Sequence, residues 1–374
     1  MANKTDFTQL TTEQKTVWSR LIWKAAREKS RVMQYAGKGP NAVFQRITEL
    51  TKDERGDRAV VTLVTDLEGD GIMGDADLEG NEEALKAYDE VITIDQIRNA
   101  NRTAGRMTMQ KSVVNFRDQS KDKLAYWLAD RIDQMAFLTM SGIAYSKHTN
   151  GADRVVKASG MNLNDLAFAT DVTAPSDRRH VRWDKATGRL VAGDTSAVTA
   201  DDKMSYELLV NARALAKDRY IRGSIADAND EFYHVFLSPM QMKALKLDQD
   251  YLANIRNAGS RGEKKNPLFT GGIVTQDGLV IHEFRHVFNT MGAAAGDKWG
   301  DAGGIDGSRA LLVGAQALAM ADLGTPMWEE ETFDYGNQHG ISVGKILGFR
   351  KPRFHNIYDG SVQDHGVLAI DTAI

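Results

Sequence analysis

Residues 279–289, LVIHEFRHVFN, carry His282, Glu283 and His286 in the order of a zinc-protease signature. The chemistry would be metal-assisted hydrolysis: two imidazoles one helical turn apart hold the ion, and the carboxylate acts on its bound water. That geometry requires a helix, and the surrounding residues predict a strand. Gly278 precedes the run, Val280, Phe284 and Phe288 share one period-2 face, and Ile281 and Val287 lie on the other. Along a strand the two histidines stand about 13 Å apart, too far to share one ion. A zinc-dependent hydrolase on these three residues is therefore only the alternative reading, and the chain is not expected to be an enzyme.

The stretch DLEGDGIMGDAD offers a second site, for calcium. Asp66, Asp70, Gly71 and Asp77 fall on ligand and turn positions of an EF-hand loop. Glu68 stands where Asp or Asn is preferred, Asp77 replaces the bidentate Glu, and a strand precedes the loop. This supports a calcium-binding turn at most. AGKGP and VGKILG lack the residue order of a phosphate-binding loop. The absence of cysteine removes disulfides, thiolate metal sites and cysteine nucleophiles. No catalytic, cofactor-binding or metal residues are assigned, and no cofactor is expected.

Function must then lie in surfaces. The 374 residues are 42% hydrophobic and 26% charged, a globular balance, and the net charge of −4 argues against a protein that coats nucleic acid. No apolar run approaches the roughly 20 residues of a membrane span, and the first residues lack the pattern of a secretion signal.

The charge is unevenly spread. From Asp66 to Asp95 there are eleven acids and one base, Lys86. Strands are predicted on either side, RAVVTLVTDL (58–67) and DEVITIDQI (89–97), so the acidic stretch is the tip of a long hairpin-like excursion. The next segment is basic, with Arg98, Arg102, Arg106, Lys111 and Arg117. Residues 12–36 read as a basic helix with only a short apolar stripe, so they are expected to lie on another surface.

The elements that would carry these segments are clearer. Phe116, Leu124, Leu128, Ile132, Met135 and Leu138 recur at helical spacing, predicting a long helix over 112–140 with Trp127 beside the stripe and Ser141-Gly142 at its end. Residues 143–202 read as an inserted surface loop with short strands, and 203–220 as a second helix. EFYHVFL (231–237) is a buried strand; Ser238-Pro239-Met240-Gln241 is a capping box that opens a further helix. RALLVGAQALAMA (309–321) reads as a strand turning into a helix, and the tail alternates like strands.

Six ordered stretches complete the pattern: LEGDGIMGDADLEGNEEAL with ITIDQIRNA, LAYWLADRIDQMAFLTMSG, FLSPMQMKALKLD, NPLFTGGIVTQDGLVIHEF, ALLVGAQALAMA and FDYGNQHGISVGKILGFRKPRF. Together, over about 12–355, they resemble the major capsid proteins of tailed bacteriophages, with the Hong Kong 97-type fold. The resemblance implies an α+β architecture with an N-terminal arm (1–58), an extended loop (59–98), a peripheral domain with a spine helix (99–150), an axial domain with an inserted loop (151–325) and C-terminal strands returning to the peripheral domain (326–374). It implies hexamers and pentamers of the chain itself, closing an icosahedral shell in the virion after synthesis in the bacterial host cytoplasm. Implied partners are a separate scaffolding protein, a portal, a decoration protein, and packaged DNA on the inner face without sequence specificity; no membrane is involved. The candidate inter-subunit contacts are Asp66, Glu68, Asp70, Asp75, Glu79, Arg98, Arg102, Trp18 and Trp23, the acids being expected to lie over the basic arm or spine of an adjacent copy.

Overall fold

The structure, a computed structural model, describes residues 23–39, 41–48, 58–64, 72–74, 79, 82, 87–111, 116–156, 160–225, 231–258, 274–355 and 360–374. Its spine is the helix Phe116–Ser141, whose second half is buried on nearly every side. The helix ends in a Schellman motif: Ile143 N–H reaches the Leu138 carbonyl at 3.0 Å and Gly142 N–H that of Thr139 at 3.2 Å. Gly142 takes φ +68, which glycine adopts without strain, and a Cβ there would press on Thr173, Ala174 and Pro175.

Two sheets flank this helix. The larger has eight strands. Its main order is Val274–Gln276, Leu279–Glu283, Glu231–Leu237, Gly307–Val313, Val367–Ala373, His180–Asp184 and Arg189–Ala192, with Ser224–Ile225 pairing beside Glu231–Leu237. Both of its faces are covered. Tyr233, Val235, Leu237, Leu279 and Ile281 face a core built with Leu208, Leu209, Ala212 and Leu245 from the helices Tyr206–Asp218 and Pro239–Leu247. Phe236, Leu311, Val313, Val367 and Ala369 face the core of the spine helix. The alternation of parity between the two cores is what a strand with two buried faces requires. The smaller sheet has five strands, in the order Ala36–Gly37, Phe44–Ile47, Leu318–Phe333, Gln338–Arg350 and Asp95–Arg102. Trp328, Ile341 and Val343 pack it against Leu124 and Ala125 of the spine.

Several expectations change at the level of single elements. The first helix does not run through: residues 23–29 are helical, Ser30 interrupts by accepting from Met33 N, and Arg31–Gln34 form a second turn. Residues 309–321 contain no helix. They form the end of Gly307–Val313 and the start of Leu318–Phe333, the chain stepping from one sheet to the other between them. Residues 143–202 are less of a surface loop than expected, since Phe168 and Trp183 are fully buried and two of its strands join the large sheet. Within 326–374, Gln338–Arg350 returns to the five-stranded sheet, but Val367–Ala373 lies in the eight-stranded sheet between Gly307–Val313 and His180–Asp184.

Candidate assembly surfaces

His282 lies on the strand Leu279–Glu283, and His286 lies beyond its end. Both are buried, and they turn to different partners. His282 Nε2 is 2.9 Å from His234 Nδ1, whereas His286 Nε2 is 3.0 Å from Asp130 Oδ1 on the spine helix. Glu283 points outward, 3.6 Å from Lys246 Nζ. The strand has separated the three residues, and the zinc-hydrolase geometry is not formed. Among the described residues no group of three or more His, Asp or Glu side chains is placed to hold a metal ion. Asp66, Asp70 and Asp77, the calcium candidates, lie outside the described residues.

The described part of the N-terminal segment rests on its own subunit. Trp23, Ala26, Val32, Val43 and Phe44 belong to the main core with Leu128, Ile132 and Met135. The tie is Asp133, 3% exposed, which accepts from Ser30 Oγ at 2.6 Å, Arg31 N at 3.0 Å and Val32 N at 3.1 Å. Burial raises its pKa against these three bonds. Trp23, expected at a contact between subunits, is 4% exposed inside its own chain, with Lys345 Nζ 4.3 Å from its ring centroid. Trp18 lies outside the described residues.

Among the described residues, the excursion is anchored at its base. Arg58–Val64 and Ala87–Thr93 pair antiparallel over seven residues each. Ala59 and Ile92 turn inward onto Ala319, Ala321 and Phe354, while Val60 and Val91 on the other face stay exposed. Glu90 and Asp171 both pair with Arg350, and Thr93 N donates to Asp171 at 3.2 Å. The hairpin crosses so close to Gly348 that a Cβ there would collide with the Thr93 carbonyl oxygen. Glu79 is exposed; Asp66, Glu68, Asp70 and Asp75 lie outside the described residues. Arg98 and Arg102 sit on the edge strand Asp95–Arg102, opposite Gly344 and Gly340. Arg98 is exposed, and the Arg102 guanidinium lies 4.2 Å from the Phe333 ring centroid. These two arginines therefore share one strand at the rim of the smaller sheet.

Three buried ion clusters went unread in the sequence. Lys345 and Arg46 both pair with Asp322, and burial pulls the Lys345 pKa down against that pairing. Lys351 Nζ is 2.7 Å and Arg353 Nε 2.8 Å from Asp364, and burial brings Lys351 down to about 8. Asp371 accepts from Arg309 Nε at 2.7 Å and lies 2.6 Å from His180 Nε2. Burial alone would raise its carboxyl pKa, but Arg309 and His180 outweigh it and hold it below the usual range. The partners in these clusters lie 11 to 276 positions apart in sequence, so no local spacing signals them.

The phage capsid protein family matches residues 5–374. The chain belongs to that family. It is 55% identical over 373 residues to the major capsid protein of Pseudomonas phage KPP25, covering 99% of this chain and 98% of that one. The capsid of Ralstonia phage GP4 superposes with a TM-score of 0.71 at 26% identity, over 91% of this chain and 89% of that one. The capsid subunit of cyanophage Pam1 shares the fold, with a TM-score of 0.69 at 17% identity over 92% of each chain. The α+β fold is the Hong Kong 97-like capsid fold, as the resemblance implied. A capsid protein is a structural part of the virion and not an enzyme. The surfaces above are thus those of a shell subunit.

Proposed function

We infer that the chain is the major capsid protein of a phage, self-assembling as hexamers and pentamers into the icosahedral shell around the genome. The observation that carries this is the end-to-end likeness, at more than half of all positions, to the KPP25 major capsid protein. On this reading, 99–150 with Gln338–Arg350 is the peripheral domain and 151–325 the axial domain. Val367–Ala373 is better assigned to the axial unit, because it pairs there.

The excursion 59–98 is the inter-subunit element, its acids Asp66, Glu68, Asp70, Asp75 and Glu79 set against basic segments of the adjacent copy. Two features support this: the imbalance of eleven acids to one base, and a two-stranded ribbon whose described outward residues, Val60 and Val91, are left exposed by its own body. Arg98 and Arg102, on an edge strand, are the basic candidates. Each exposed pair contributes only about 0–1 kcal/mol, but a closed shell repeats it in every subunit. A separate scaffolding protein, a portal, a decoration protein and non-specifically bound DNA complete the particle, which is made in the host cytoplasm.

The test is expression of the chain with candidate scaffolding proteins, followed by negative-stain microscopy and sedimentation. Closed shells or capsomers are the expected product. A chain that stays monomeric with every partner, at assembly-competent concentration, would overturn the reading.

A further inference from the structure

Three rings meet where the N-terminal segment crosses the eight-stranded sheet. His234 and His282 lie stacked, with centroids 5.2 Å apart and 14° between their planes, and their facing nitrogens are 2.9 Å apart. Tyr35 covers both, 5.1 Å from each ring, with Oη 3.4 Å from His282 Nδ1. Phe236 stacks on His282 at 5.0 Å. Tyr35 is also the C-cap of Arg31–Gln34, and its carbonyl accepts from Phe44 N at 3.4 Å. It is the joint at which the segment passes from the spine helix to the five-stranded sheet.

We propose that Tyr35, His234 and His282 form an acid-sensitive latch, which holds the N-terminal segment on the eight-stranded sheet at neutral pH and releases it as the histidine pair takes up protons. Two neutral imidazoles satisfy the geometry with a single proton between the facing nitrogens. A proton added to His282 puts a charge among Tyr35, Phe236 and the second imidazole, where little water can reach it. A second one sets two N–H donors head-on across 2.9 Å.

The other charged groups decide the sign. Arg31, on the N-terminal segment, adds repulsion to a protonated His282. Glu283, next along the strand, offers no relief because it pairs outward with Lys246. Asp133, on the spine helix, is committed to Ser30, Arg31 and Val32 and acts in the opposite sense, since its pKa is raised while the segment is docked.

Burial, then His234 and Arg31, push His282 from its ordinary 6.5 down to about 4, and burial lowers His234 as well. A histidine whose pKa is depressed in the docked state contributes fully above its free value of 6.5; that contribution is lost as pH falls from there toward 4. Full relief of the His282 shift would lower the docking constant by about thirtyfold between about pH 7.5 and about pH 5; His234 stays beside His282 in the sheet, so thirtyfold is the upper limit and a fall of about tenfold or more is expected.

Hydrogen exchange of the full chain tests this, with exchange times scaled for the intrinsic rate at each pH. Peptides within 23–47 should lose at least about tenfold protection between about pH 7.5 and pH 5, while those covering 307–313 and 367–373 keep theirs. H282Q and, separately, H234Q retain a polar side chain that does not titrate, and each should flatten this dependence. Three results overturn the latch: wild-type protection of 23–47 that ignores pH, loss that spreads equally to the sheet peptides, or glutamine variants that lose protection as wild type does.

Discussion

The Ser30 hydroxyl donates to the Asp133 carboxylate across 2.6 Å, joining residues 103 positions apart. The same carboxylate takes the backbone N–H groups of Arg31 and Val32, so one side chain of the spine caps the turn that follows the break in the N-terminal helix. The substitution Asp133→Ala leaves three buried or half-buried donors without an acceptor and should cost about 2–4 kcal/mol. Urea unfolding measures the loss. Trypsin cleavage at Lys24, Arg27, Lys29 and Arg31 should accelerate well before the rest of the chain opens.

Asp371 gives the stability its clearest acid dependence. Its carboxyl pKa is lowered in the folded state, so its contribution is present above the unfolded value of 3.8 and lost as pH falls through the folded one. Asp371→Asn strands Arg309 in the core and should cost about 3–5 kcal/mol near neutrality. The gap between wild type and variant should narrow between about pH 7 and about pH 3, because below 3.8 the unfolded carboxyl takes up a proton that the folded one holds off. Urea midpoints at the two pH values check both statements.

Gly348 sets how closely the excursion can approach. Gly348→Ala places a methyl against the Thr93 carbonyl and the Ile92 side chain, so the hairpin base must lift. A loss of about 1–3 kcal/mol is expected, concentrated in hydrogen exchange of 58–64 and 87–93.

Reversal of Asp70, Asp75 and Glu79 to lysine should leave the subunit's thermal midpoint within a few degrees of wild type and yet prevent closed shells, seen by microscopy. Normal shells from this triple variant would remove the excursion's acids from the assembly interface.

Glu283→Ala separates a structural chain from a hydrolase. The Glu283–Lys246 pair is about half exposed on both sides, so the change should alter stability by no more than about 0.5 kcal/mol. Shell yield should be unchanged, and metal analysis of wild type should find no stoichiometric zinc.

Local pattern made much of the fold legible. The capping box at Ser238 and Gln241 forms with Pro239 in the first turn, and the apolar spacing of 112–140 appears as Phe116–Ser141. The strand expected over 279–289 forms at Leu279–Glu283, where Ile281 and His282 face opposite cores, and stops there: residues 284–287 turn, so His286 is carried off by a turn and not along a strand. What failed was information that only tertiary structure supplies. ALLVGAQALAMA is buried throughout, so it carries no period to separate strand from helix, and its alanines favour helix until two sheets claim it. The destination of Val367–Ala373 was equally hidden, since a strand buried on both faces looks the same in either sheet. Asp133 read as an ordinary polar position because its three donors come from a distant segment.

Val367–Ala373 fills the slot between Gly307–Val313 and His180–Asp184, pairing with both. Translation reaches those neighbours long before it reaches the strand that joins them. Until residues 367–373 are made, the eight-stranded sheet has an open seam between Gly307–Val313 and His180–Asp184, and its two halves cannot join.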